Sequence, residues 1–158
     1  MTNNGKYIDS TERNISQLGL KNSSAKLYPK GTVLYAMYAS IGECSIAKVE
    51  LTSNQAILGI RPSHKLHNEF LYYYLTFIKE RVRRQGQQGT QSNLNAGMVK
   101  GIKIPLPDIQ EQKAIAQVLS TADKEIELLE KELEQLKLQK KGLMQLLLTG
   151  IVRCELAD

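Results

Sequence analysis

A seven-residue apolar repeat in the last third of the chain limits what the chain can fold into. From residue 115 to residue 147, apolar positions step alternately by four and three residues. These ten positions, called the seam below, are Ile115, Leu119, Ala122, Ile126, Leu129, Leu133, Leu136, Lys140, Leu143 and Leu147, and only Lys140 is not apolar. A seven-residue period sustained over several heptads is typical of a coiled-coil helix, whereas a helix on a globular surface shows a 3.6-residue stripe.

The predicted helix is too long for the rest of the chain to cover. A helix over residues 108–148 is about 60 Å long at the standard rise. A globule built from the first 107 residues cannot cover that length. We therefore expect the seam to meet a second long helix.

The charges beside the seam favour one orientation for that second helix. Acidic residues flank its first part and basic residues its last part: Asp123, Glu125, Glu130 and Glu132, then Lys137, Lys140 and Lys141. Two parallel copies would place most of these like charges together, so the pattern favours antiparallel pairing. Lys140 on the seam either fixes the register of the pair or extends its amine to water near a frayed end.

Clear signals mark both ends of the helix. In the stretch PLPDIQEQK, two prolines end the preceding segment, and Asp108 stands three residues before Glu111. This spacing predicts a capping box formed by Asp108 and Glu111, and Thr149–Gly150 provides the stop. Further apolar residues widen the surface beyond the seam, for a second partner or for the globule: Leu138, Met144, Leu146 and Leu148.

The first 107 residues are predicted to form a small globule of strands and helices. Helical spacing of apolar residues predicts a helix over residues 69–85 with Asn68 as its cap, and a shorter helix is predicted from Thr11 to Leu18. Segments rich in β-branched and aromatic residues predict strands at 32–39, 43–51, 55–62 and 101–107. The predicted fold class is therefore α+β, a small mixed globule followed by one long coiled-coil α-helix.

Charge is divided unevenly between these two parts. Residues 1–107 hold 14 Lys and Arg against 6 Asp and Glu, a net charge of +8. Residues 108–158 hold 7 against 10, a net charge of −3. Unless the segregation is due to chance, a basic globule suits a polyanion and a mildly acidic helix suits a protein partner.

Two polar segments of the globule carry groups that recognise nucleic acid. Lysines and small hydrogen-bond donors hold phosphates, while Gln or Asn can bind adenine and Arg can bind guanine in the major groove. The candidate DNA-binding residues are Lys21, Asn22, Ser23, Ser24 and Lys26 in the first segment, and Arg81, Arg83, Arg84, Gln87, Gln88, Thr90, Gln91 and Asn93 in the second. The alternative for the second segment is a solvated loop after a basic helix end.

The sequence offers little for catalysis. His64 and His67 are three residues apart but have no Cys or carboxylate cluster beside them, so we predict no metal site, no cofactor and no catalytic residues. The stretch PDIQEQK contains the letters of a metal-dependent nuclease, but such an enzyme holds its carboxylates on adjacent strands. Here they lie on one helical turn, which makes a nuclease the weakest of the alternatives.

Cysteine usage and hydropathy indicate the compartment. Cys44 and Cys154 lie far apart without a CxxC pattern, and we expect two free thiols in a reducing environment. No signal peptide opens the sequence and no apolar run reaches bilayer thickness. The expected location is cytoplasmic.

Several stretches resemble a known family. KIPLPDIQEQKAIAQVLSTADKEIELLEKELEQLKLQKKGLMQLLLTGIVR resembles the C-terminal region of the specificity subunit of type I restriction-modification enzymes. Upstream, ASIGECSIAKVELTSNQAI and GTQSNLNAGMVKGIKIPLP resemble a target recognition domain of that family. The resemblance covers nearly the whole chain.

The resemblance implies a noncatalytic module that gives an enzyme its DNA specificity. It implies a target recognition domain over residues 1–107, truncated at its N-terminus, a dimerisation and spacer helix over 108–150, and a C-terminal tail over 151–158. The implied partners are double-stranded DNA, methyltransferase (modification) subunits and nuclease-translocase subunits, without a membrane. The helices of the family pack antiparallel between two recognition domains.

The sequence departs from the family in holding one recognition domain and one helix, where a full subunit has two of each. An antiparallel homodimer would restore the missing helix pair, and pairing with a longer specificity subunit is the other way to do so. The alternative function is a truncated assembly or regulatory protein that pairs with specificity or methyltransferase subunits without reading DNA.

Overall fold

The computed structural model describes residues 5–11, 13–86 and 93–154 of the 158-residue chain. Contacts between residues divide the chain into two compact units, Met1–Ala116 and Gln117–Asp158. The first unit contains the described strands and the first two turns of the long C-terminal helix. The predicted α+β class, a mixed globule followed by one long helix, is confirmed.

The described chain forms short strands and helices of very different lengths. The strands are β1 (Tyr7–Ile8), β2 (Leu27–Tyr28), β3 (Val33–Ala36), β4 (Cys44–Ala47), β5 (Leu51–Thr52) and β6 (Ile57–Ile60). The helices are α1 (Gln17–Lys21), α2 (Asn68–Gly86), α3 (Ala96–Lys100) and α4 (Ile109–Leu148). No helix of the described residues is both long and apolar enough to cross a membrane.

The core of the globule lies between a four-stranded sheet and α2. The sheet has the order β1-β4-β3-β6, in which β1 runs parallel to β4 and the other neighbours are antiparallel. β3 and β4 are buried at every position, and α2 packs against both. Tyr35, Ile46, Leu71 and Leu75 are almost completely inaccessible to solvent. The strands predicted at 32–39, 43–51 and 55–62 are confirmed, with shorter bounds.

The first strand is attached to α2 by a polar cluster. Lys6 Nζ pairs with Glu69 Oε2 at 3.2 Å, and the Tyr7 hydroxyl donates to Glu69 Oε1 at 2.6 Å. Burial, followed by the hydrogen bond to Glu69, raises the pKa of Tyr7 to about 12. Burial also works to raise the pKa of Glu69, but the hydrogen bonds from Tyr7 and Lys6 outweigh it, so that this pKa lies below its usual value. The carboxylate therefore stays ionised and holds the strand in place.

A second, two-stranded sheet of β2 and β5 lies against the first at Gly59. The Tyr28 ring of β2 occupies the space beside Gly59 in β6, where a Cβ atom would come within 2.2 Å of the ring. A side chain at position 59 would have to displace the tyrosine. Glycine is therefore required here for the close approach of the two sheets.

Two of the predicted elements are wrong. The helix predicted from Thr11 to Leu18 is instead α1, five residues that begin after Ser16, whose hydroxyl caps the helix by accepting from Gly19 N at 3.0 Å. The segment 101–107, predicted as a strand, has no strand assignment. Its half-buried isoleucines alternate as in a strand and pack against the core, and the Tyr74 hydroxyl donates to the Lys103 carbonyl at 3.1 Å. The alternation therefore marks an extended segment without ladder pairing.

The long helix begins at the position where the sequence places its cap. Asp108 Oδ1 accepts hydrogen bonds from Gln110 N at 2.8 Å and Glu111 N at 3.2 Å. Within the described chain, the Glu111 carboxylate accepts no hydrogen bond from Asp108 N in return. The cap therefore consists of Asp108 alone. At the other end, Gly150 adopts a φ of 73°, the left-handed conformation that ends a helix.

The first turns of α4 are joined to the globule by the side chain of Gln112, which is completely buried. Its Oε1 accepts from His67 N at 2.8 Å. Its Nε2 donates to the carbonyls of Lys65 at 2.9 Å and Pro107 at 2.8 Å. One amide thus connects the start of α4, the segment before it and the start of α2.

We expect Gln112→Ala to destabilise the globule, because it leaves buried backbone groups without partners. Each such group costs about 1–3 kcal/mol, so the free energy of unfolding should fall by at least about 2 kcal/mol. The matched control is Gln117→Ala on the same helix, where the exposed side chain reaches only Thr121 Oγ1 at 3.5 Å. That change should cost less than about 0.5 kcal/mol. Urea titration of both variants measures the difference, and equal losses would contradict the role of Gln112.

Candidate nucleic-acid interface and helical seam

The first predicted DNA-binding segment connects α1 to β2 at the surface. Lys21 is the last residue of α1, and Asn22 follows as its C-cap. Ser23 Oγ accepts from Ala25 N at 3.3 Å, which closes a tight turn. Ser24 and Lys26 are exposed. The segment therefore presents two ammonium groups and several small polar groups to solvent over a few residues, an arrangement suited to phosphate oxygens.

The second predicted segment begins on the last turns of α2. Arg81, Arg83 and Arg84 are exposed there, and Arg83 Nη1 lies 3.9 Å from Glu80 Oε1 in a surface pair of low expected strength. Asn93 is also exposed. The remaining candidates, Gln87, Gln88, Thr90 and Gln91, lie outside the described residues.

Arg81 also contributes to a surface cavity that the sequence does not indicate. Tyr74, Met98 and Lys103 line this cavity together with Arg81, and Met98 is 44% exposed. Asn95, near Asn93, caps α3 by accepting from Met98 N at 2.9 Å. In the described part of the chain, no hydrogen bond or ion pair joins this region to Lys21–Lys26. The two predicted segments are thus separate basic regions of one globule.

The seam of α4 is open to solvent over most of its length in the single chain. Ile115 is half-buried, while Ala122 and Lys140 are exposed. The large apolar residues from Leu119 to Leu147 are between 39% and 57% exposed: Leu119, Ile126, Leu129, Leu133, Leu136, Leu143 and Leu147. A regular row of half-exposed leucines is unusual for a monomeric surface and is typical of a surface that meets a partner.

Comparison with known protein families covers both the globule and most of α4. Residues 1–138 match the family described as type I restriction modification DNA specificity domain. The chain belongs to this family. The match covers the globule and most of α4, and it confirms the resemblance seen in the sequence.

Individual proteins that are similar to this chain are specificity subunits of type I systems. The type I restriction enzyme MjaIX specificity subunit of Methanocaldococcus jannaschii is 37% identical over 133 residues, which are 83% of this chain and 31% of that protein. The type I restriction-modification system S subunit from M. genitalium aligns with a TM-score of 0.58 and 25% identity, over 77% of this chain and 33% of that one.

A third comparison concerns the fold alone. A chain from a study of complex assembly and conformational transition of the type I R-M system aligns with a TM-score of 0.68 and 22% identity. The alignment covers 76% of this chain and 30% of that chain. The present chain thus spans about a third of the length of the relatives that it matches.

Proposed function

We propose that the chain is a DNA-specificity module of a type I restriction-modification system. In this proposal the globule binds duplex DNA, and α4 pairs with a second copy of the chain in antiparallel orientation. The observation that carries the proposal is the family match over residues 1–138, because it includes both the globule and most of α4. The module itself is noncatalytic, acts in the cytoplasm and supplies specificity to partner subunits.

The charge of the globule supports the DNA-binding part. Residues 1–107 carry a net charge of +8, and two of their exposed segments are basic. Cations near a duplex release condensed counterions, which gives affinity without sequence preference. Selection among sequences then requires base-edge contacts, for which the arginines after Glu80 and the amide-rich residues 87–93 are the candidates.

The exposed seam supports pairing through α4. Burial of apolar surface contributes about 25 cal/mol per Å², and a row of leucines at half exposure leaves much of that contribution unrealised in a single chain. A second α4 packed along the same row would bury it by knobs-into-holes contacts. A twofold pair of this kind would present two globules to two matching half-sites on the duplex.

The one polar seam residue favours the antiparallel orientation. In a parallel pair the two Lys140 side chains share a layer, and two desolvated ammonium groups there repel each other. In an antiparallel pair centred on residue 131, Lys140 lies opposite Ala122, the smallest seam residue, which leaves room for the amine to reach solvent. In that register Ile115 also lies opposite Leu147, and the other layers are apolar on both sides.

Docking of partner subunits is assigned to the helical part. Leu138, Met144, Leu146 and Leu148 lie off the seam and are exposed, so a two-stranded pair leaves them uncovered. We propose this surface for the methyltransferase subunits, which the nuclease-translocase subunits then join. The second candidate function is an assembly or regulatory protein. Such a protein would make the same contacts through its helix, but its globule would not bind DNA.

Pairing through the seam predicts opposite results for two leucine variants on one helix. Leu133→Asp places a charge between paired helices and should reduce the solution mass from the dimer to the 17.7 kDa monomer. Leu128→Asp makes the same change off the seam, where the side chain is 66% exposed, and should leave the dimer intact. Light scattering of both variants at matched concentration measures this. A dimeric Leu133→Asp variant would place the pairing surface elsewhere.

DNA binding predicts a steep dependence of affinity on salt. A protein with six phosphate contacts loses roughly 10³-fold in affinity between 50 and 200 mM salt, and we expect a loss of this order for a labelled duplex in fluorescence anisotropy. Arg84→Gln should weaken binding, whereas Arg153→Gln removes an equal charge beyond α4 and should not. A chain that does not bind duplex at 50 mM salt would favour the assembly protein.

A further inference from the structure

A basic groove lies beside the start of α4, in neither of the segments that the sequence indicates. It has a volume of about 430 Å³, within the roughly 300–1,000 Å³ range of ligand sites. Its basic and imidazole side chains come from three separate parts of the chain: Lys30, then Arg61, His64 and His67, then Lys113. Residues far apart in sequence thus meet at one concave surface, which no sequence motif marks.

The charge in this groove is not neutralised by the protein. Among the described residues, no carboxylate lines the groove, and none forms an ion pair with Lys30, Arg61 or Lys113. Two carboxylates that border groove residues in the sequence have other partners. Glu69 accepts from Lys6 and Tyr7, and Asp108 caps α4. The groove therefore carries three cations without an internal counter-charge, an arrangement that attracts an external anion.

The first residues of both α2 and α4 line the groove, and the amino end of α4 is already capped by the Asp108 carboxylate. His67 also lines the groove, and its Nδ1 atom is buried without a hydrogen-bond partner among the described residues. The attraction of the groove for an anion therefore comes from Lys30, Arg61 and Lys113.

The groove is continuous with the first predicted DNA-binding segment. Arg61 Nη2 donates to the Leu27 carbonyl at 2.7 Å, which holds the guanidinium next to the residue that follows Lys26. Lys30 lies two residues after β2. Cations thus follow one another from Lys26 past Arg61 to the groove. Such a row fits an extended chain of phosphates better than a single compact anion.

We propose that this groove binds backbone phosphates of duplex DNA beside the start of α4. The inference rests on the proposed DNA-binding function and adds to it a phosphate-contact site that carries no sequence information. In this position the groove would fix the duplex relative to the first turns of α4, while base-edge contacts lie elsewhere on the globule.

The test uses the salt dependence of duplex affinity in the full chain. Each lost phosphate contact should reduce the slope of log K against log salt by about 0.9. We expect that reduction for Lys30→Gln and for Lys113→Gln, on every duplex sequence tried. Lys48→Gln changes an exposed lysine of the same unit that lies outside the groove and outside both candidate DNA-binding segments, and it should leave the slope unchanged. Thermal melting of each variant verifies that the fold is kept.

The possible outcomes separate this inference from the proposed function. If the wild-type chain binds duplex and the groove variants retain its slope, the groove is not a DNA contact and the DNA-binding function stands. If inorganic phosphate stabilises the wild type but not the groove variants, and their slopes are unchanged, the site takes free phosphate and the inference is overturned. If the wild type does not bind duplex, both this inference and the proposed DNA-binding function are contradicted.

Discussion

In a single chain, the apolar seam of α4 is exposed to water, and this exposure favours a partner that covers the seam. The helix runs over 40 residues, and its large seam residues are half-exposed in a single chain. Burial of the seam requires a surface of matching length and period, which a second α4 supplies. In the proposed pair, the charges beside the seam and Lys140 both favour the antiparallel orientation, because Lys140 would lie opposite Ala122 and not opposite its own copy.

The globule gives the helix a defined starting point. Gln112 satisfies backbone groups just before α2 and just before α4, and Asp108 caps the first turn of α4. The basic groove lies in the same region, so the proposed phosphate contact and the first residues of α4 belong to one compact unit.

The sequence was sufficient for features that depend on local or periodic patterns. The heptads predicted α4, Asp108 predicted its cap, and runs of β-branched residues predicted the three longest strands. It failed where tertiary contacts decide. The two-residue strand at Tyr7 exists because Glu69 and β4 hold it, and the alternating segment 101–107 packs on the core without a strand partner. The sequence did not indicate the role of Gln112, because nothing in it distinguishes a buried glutamine on a helix from an exposed one. The basic groove was missed because its cations come from separate segments.

Cysteine cross-linking between two different variants tests the antiparallel register most directly. In a Cys154→Ser background, one chain would carry Ala122→Cys and the other Lys140→Cys, while Cys44 stays buried with its pKa raised to about 11. Co-expressed chains should form a disulfide-linked dimer under mild oxidation. Either variant alone should not, because its two cysteines would lie about 27 Å apart along the helices. Cross-linking of each variant with itself would show parallel pairing, and no cross-link in the mixture would contradict pairing along this seam.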